Sequence, residues 1–178
     1  FHAAPILHRK GQGLTASRTQ AASPWAGGLF LVALSLWVGA VVFYSLIVLP
    51  ALFSAMPSAR AGEVAALVFP RYYGSGLVMG VLMLASSGYL AARAGGPWRW
   101  ALSATVLMVT AQTLAAFGVG PRMAELRGDE AARAAFMRLH GLAMALNALV
   151  MAVGLGLLAT AGRLLRSGPL SREDGAQN

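Results

Sequence analysis

Four stretches of the chain, 29–53, 74–92, 100–119 and 142–161, are almost wholly apolar and contain no charged residue. Their apolar positions go right round a helix instead of marking one stripe, as in helices surrounded by lipid or by other apolar helices. A bilayer core is about 30 Å thick, so about 20 residues rising about 1.5 Å each cross it. The pattern predicts an all-α membrane protein, a four-transmembrane-helix bundle lying against the lipid bilayer.

The polar positions between the spans predict the connections. Residues 58–69 are expected to form a short interfacial helix between spans one and two. Ser58 would cap it, with Val64, Leu67 and Val68 on one face and Arg60 and Glu63 on the other. Pro70 is expected to end it, and Arg71, Tyr72 and Tyr73 suit the headgroup layer at the return into the membrane. Pro50 is expected to kink the last turn of span one. Residues 93–99 read as a tight basic hairpin, and 122–139 as the longest and most polar connection. There Gly128 and Asp129 predict a helix start, with Asp129 able to pair with Arg133, and the helix running unbroken into span four. Gly76 and Gly80 in span two, and Gly156 in span four, lie in small-xxx-small steps that let another helix approach closely.

Composition sharpens this picture. Hydrophobic residues make up 57% of the 178 and charged ones 11%, against about 25% charged in an ordinary soluble domain. The four spans leave only short connections and two ends, so one membrane domain is expected over 24–166. A loose basic segment would precede it over 1–23 and a polar tail follow it over 167–178. The chain begins at Phe1 and its first methionine is Met56, so its start is expected to be processed, truncated or an extended reading of the frame. A signal peptide fits poorly, because the first apolar run is far longer than a usual h-region. The formal net charge is +8, from one lysine and thirteen arginines against six acidic residues. The basic residues gather at span ends instead of forming a stripe with interleaved aromatics, which points away from nucleic acid. Their slight excess on the side of the 93–99 hairpin and both termini predicts that side to be cytoplasmic. With no cysteine, disulfides, thiolate metal sites and a cysteine nucleophile are all excluded.

Candidate chemistry is sparse. His140 and Asn147 lie two turns apart on one helix face, and Asn147 falls about 7 Å inside the core at about 1.5 Å per residue. A carboxamide there needs partners, and Gln112, Thr105, Ser35, Tyr44 and a backbone carbonyl are candidates. Three readings stay open: an interhelical lock, a ligand or proton-handling site, and a contact with another subunit. Topology places the 1–2 and 3–4 connections on one side of the membrane, so Arg60, Glu63, Arg71, Tyr72, Arg122, Glu125 and His140 share one surface, and a polar pocket would open there, drawing on Glu63, Arg71, Arg122, Glu125 and His140. No ionisable side chain lies within a span core, where ion-coupled transporters usually carry them. A two-histidine haem is also excluded within the chain, because His2 and His8 lie in the basic head. No nucleophile–base pair or metal-ligand spacing stands out, so no enzymatic activity is expected, and no cofactor is indicated.

The run Leu36-Trp37-Val38-Gly39-Ala40-Val41-Val42-Phe43, followed by Leu49-Pro50-Ala51-Leu52-Phe53, resembles the opening of the transmembrane protein 205-like family. Ala61-Gly62, Phe69, Tyr72-Tyr73, Pro121-Arg122, Leu139-His140-Gly141 and Leu146-Asn147 continue that pattern in order over 29–162. The resemblance implies a small four-span bundle with no known reaction. A vertebrate member is linked to resistance to platinum drugs, which implies metal or drug export without supplying transport residues. The preference for arginine over lysine, with abundant alanine and glycine, fits a GC-rich bacterium and hence a bacterial inner membrane. Small-residue faces, short loops and missing catalytic groups make an accessory or scaffold subunit the first expectation, packed against other membrane protein subunits of a respiratory or photosynthetic complex. The alternative is a metal-ion or small-molecule binding or permeation protein, with its site at the face of the 1–2 and 3–4 connections.

Overall fold

Each apolar stretch is the middle of a longer helix in the computed structural model, which describes residues 24–166. The helices are α1 (Trp25–Ala55), α2 (Ser58–Ala94), α3 (Pro97–Glu125) and α4 (Arg133–Leu165), each long and apolar enough to cross a membrane. At 29 to 37 residues they are about 44 to 56 Å long, so their ends extend past the hydrocarbon. The expected segments 1–23 and 167–178 lie outside the described residues. Among the described residues there is no strand.

The connections dictate an up-down-up-down bundle. Only Met56 and Pro57 separate α1 from α2, and only Gly95 and Gly96 separate α2 from α3. Those glycines have φ of +62° and +45°, a left-handed conformation that side chains with a Cβ rarely adopt. Short connections make consecutive helices antiparallel neighbours. α1 packs against α2 and α4, and α3 packs against the same two, so the four form a ring.

The expected interfacial segment 58–69 is helical, but it does not end at Pro70. It continues without a break into span two. Proline removes one backbone donor and pushes its ring against the carbonyl a turn earlier. Here Arg71 Nη1 donates to Leu67 O at 3.1 Å, and Ser75 Oγ to Tyr72 O at 2.9 Å. Side chains thus serve carbonyls on either side of the proline, and the helix passes through it. Span three likewise continues through Pro121 to Glu125. The helix of span four begins at Arg133 instead of Asp129. Asp129 Oδ1 accepts from the backbone N–H of Ala131 at 2.9 Å and of Ala132 at 3.4 Å, which holds the turn ahead of that helix.

Packing is dense near the α2–α3 hairpin. Phe30 meets Trp98 edge-to-face with centroids 5.4 Å apart, and both are buried with Leu34, Met83 and Leu157. In the middle layer Trp37 lies in the groove left by Gly76 and Gly80. A Cβ at Gly76 would collide with the Gln112 amide and the Trp37 indole, and one at Gly80 with Val109 and Trp37. These two glycines therefore form a close helix contact. Gly156 does not, because nothing lies within 4 Å of a Cβ there; the tight approach on α4 is at Gly154, against Val38 and Met108. Small-residue spacing shows where a helix could approach, and the register of the partner decides where it does.

Most hydroxyls in the helices are satisfied locally. Ser86, Ser87, Thr105, Thr113 and Thr160 each donate to a carbonyl three or four residues earlier. This is how such residues enter an apolar helix without unmet polar groups.

Candidate functional site

The end of the bundle opposite the α2–α3 hairpin is built differently. Two helices leave α geometry there: α1 in a π-helical segment, Tyr44–Val48, and α3 in another, Leu114–Val119. Each ends two residues before a proline, Pro50 and Pro121 respectively. A proline cannot donate to the carbonyl four residues back, and a widened turn relieves both the missing bond and the ring's crowding. Pro70 lies at the same end on α2. Single π turns of this kind are frequent at functional sites.

Between the helices at this end is a cavity of about 470 Å³, within the usual range for small-molecule sites of about 300–1,000 Å³. All four helices line it, with Tyr44 and Ser45 from α1, Tyr72 from α2, Ala116 from α3, and His140 and Asn147 from α4. Three of these form a hydrogen-bonded chain across helices. The Tyr72 hydroxyl donates to Asn147 Oδ1 at 2.6 Å, and Asn147 Nδ2 donates to Ser45 Oγ at 2.8 Å. The chain joins α2, α4 and α1. Gln112 on α3 adds a weaker tie, with Nε2 donating to Tyr73 O at 3.4 Å.

Aromatic rings form one wall. Tyr44 stacks on Tyr72 with centroids 4.9 Å apart and planes at 25°, and Phe69 stacks on Tyr73 at 5.6 Å and 16°. Tyr44 is only 8% exposed, and its hydroxyl has no hydrogen-bond partner in the protein. A buried hydroxyl without a partner is unfavourable by about 1–3 kcal/mol. The Trp37 and Trp98 indole N–H groups, buried away from the cavity, likewise have no partner in the protein.

The structure sorts the residues singled out from sequence. Asn147 and His140 line the cavity, and His140 stacks on Phe136 with near-parallel rings. Gln112 is 1% exposed and lies in the middle layer. Glu63, Arg71, Arg122 and Glu125 are exposed and do not line the cavity; being on the correct side of the membrane does not make them face inward. Asn147 finds Tyr72 and Ser45, not Gln112, Thr105, Ser35 or Tyr44. Sequence reasoning missed the partnership of Ser45 and Tyr72 and the aromatic wall. The available signal was three prolines and a tyrosine pair at one end of an otherwise regular bundle. Among the described residues, no three histidine, cysteine, aspartate or glutamate side chains gather closely enough to hold a metal ion. The lining offers hydrogen bonds and apolar contact instead of ligation.

Comparison with known proteins gives two matches. A family model described as a domain of unknown function (DUF4149) matches residues 32–132, which include Tyr44, Ser45, Tyr72 and Gln112 but stop short of α4. An uncharacterized protein of Aquifex aeolicus (strain VF5) is 30% identical over 128 residues, covering 72% of this chain and 90% of that protein. No solved structure matches.

Proposed function

The chain belongs to the DUF4149 family, a domain whose function is unknown, and from that premise we propose that it is a non-enzymatic, membrane-embedded binding protein for a small molecule. The observation that carries this reading is the cavity lined by all four helices, with the hydrogen-bonded Tyr72, Asn147 and Ser45 side chains among its lining residues. Binding also suits the export that the sequence's resemblance to the transmembrane protein 205-like family implies, although a metal ion would find few ligands here. The test is purification of the full chain from its native membrane in mild detergent, followed by solvent extraction and mass spectrometry. We expect a small molecule in near-stoichiometric amount, lost from Ala143→Phe, whose ring would fill the cavity. An equal molecular load on both proteins would overturn the reading.

A second reading is an accessory subunit of a larger complex in a bacterial inner membrane, and one observation favours it. The apolar stretch of α4 is the least covered, 17% buried against 33–39% for the other three. Its outer face carries exposed Gly141, Ala145, Ala148, Ala152, Gly156 and Ala159 in a line. Small residues let helices approach closely, and bare lipid does not require them. The same preparation tests this reading: a stoichiometric protein partner is expected, and recovery of the lone chain would remove it.

A further inference from the structure

We infer that the cavity takes one long-chain amphiphile with an anionic head, a carboxylate or a phosphate, the head held between Arg127 and His140 and the chain lying in the apolar interior. This rests on the binding reading above and adds the class of ligand.

The lining changes character with depth. Arg127 lies just past the end of α3, and His140 just before the apolar run of α4. Both line the cavity and both are exposed, so they form its rim at headgroup level, where a guanidinium sits at little cost. Asn147 also lines the cavity, two turns and about 10 Å further in along α4. It is held by Tyr72 and Ser45, and the deeper walls are apolar, with Leu77, Ala116, Phe117 and Met144. Charge decides the head. Among the described residues, the lining contains no Asp, Glu or Lys, and Arg127 is its one permanent cation. Its guanidinium has five N–H donors, and no described side chain takes them. Glu125, Asp129 and Glu130 share its connection but do not line the cavity, and the Asp129 carboxylate accepts from the backbone of its own turn. His140 adds an imidazole N–H. An anionic head at the rim meets a guanidinium able to bind two of its oxygens at once, whereas deeper in the cavity it would be unpaired and strongly unfavourable. A zwitterionic head would bring its own cation against Arg127. Phe117 and Met144 line the cavity, yet are 71% and 61% exposed. They open it to lipid between α3 and α4, the route by which a membrane amphiphile enters.

The experiment measures how probes distribute between phosphatidylcholine nanodiscs carrying the full chain and empty ones, each probe being quantified by mass spectrometry. Hexadecyl phosphate has the anionic head and the chain. Hexadecylphosphocholine has the same chain with a zwitterionic head, hexadecanol the chain with a neutral one, and inorganic phosphate the head alone. Hexadecyl phosphate is expected to gather on the protein in near-stoichiometric amount, the other two chains to show no such excess, and added inorganic phosphate to displace none of it. Arg127→Gln should weaken its binding about fivefold, the upper range for an exposed ion pair. Arg122→Gln removes the same charge outside the cavity and should leave binding unchanged. Both side chains are exposed, so both variants should fold. Ala143→Phe should abolish the excess. Equal enrichment of hexadecanol or hexadecylphosphocholine would overturn the inference, as would displacement by inorganic phosphate, unchanged binding in Arg127→Gln or equal losses in the two arginine variants. In those cases loss of binding in Ala143→Phe would leave the broader binding reading standing. If the folded wild-type chain enriches none of the probes, the inference fails, and the extraction experiment alone then decides the broader reading.

Discussion

Gly76→Val should destabilise the bundle by about 3 kcal/mol, the upper end of the usual effect of overpacking. A Cβ at Gly76 would meet the Gln112 amide and stand 2.8 Å from Trp37 Nε1, and valine adds two methyl groups beyond it. The clash cannot be relieved by sliding α2 outward. One turn along, Tyr72 is bound to Asn147 and the Tyr73 carbonyl to Gln112, so movement would break the ties around the cavity as well. In a bilayer the apolar faces gain little from leaving lipid, and helix association depends on close packing and a few hydrogen bonds. Both would be lost together. Reversible unfolding of the detergent-solubilised chain, followed by circular dichroism, measures the effect; a loss below about 1 kcal/mol would show that the contact is not tight.

Trp37→Ala should cost about as much, about 3 kcal/mol, at the lower end of the range for large aromatic truncations. Trp37 is 2% exposed and fills the groove along Gly76 and Gly80. Removing it leaves a void next to the two glycines, and the surrounding atoms lose dispersion contacts that lipid cannot replace inside the bundle. Because the two residues meet, their effects should not add. In the Trp37→Ala background, valine at position 76 loses one of its two collision partners, and its cost should fall by about 1 kcal/mol or more. Strict additivity in the double variant would place Trp37 elsewhere.

The fold was readable because the four charge-free runs are long and apolar enough to span a membrane, and short connections make consecutive helices antiparallel neighbours. The ends were less readable. Hydropathy marks where hydrocarbon stops, whereas backbone hydrogen bonding carries α2 back to Ser58 and α3 on to Glu125. Pro70 misled for the same reason: within a long membrane helix a proline removes one backbone bond, the one to Ala66 O, without ending the helix, and Arg71 adds a side-chain bond to the neighbouring Leu67 O. For the site, Asn147 was legible by type, as a carboxamide in an apolar span. Its partners were not, because Ser45 and Tyr72 reach it through the rotation of α1 and α2 about their own axes, which sequence spacing does not record. The charged group around Glu63 and Arg122 was grouped by side of the membrane, and side says nothing about facing inward.

The π segments carry one more consequence. Each holds an extra residue in its turn, so everything beyond it is rotated by about 100° relative to an uninterrupted α-helix. α1 and α3, which stand diagonally across the ring, both undergo this change of phase at the cavity end. Each helix is therefore two rods in one, with separate helical wheels meeting at Tyr44–Val48 and at Leu114–Val119. One wheel turns its small and aromatic residues towards the packed half. The other sets the phase of the cavity end on α1 and α3 alone, whereas α2 carries Gly76, Gly80 and Tyr72 on one unbroken helix.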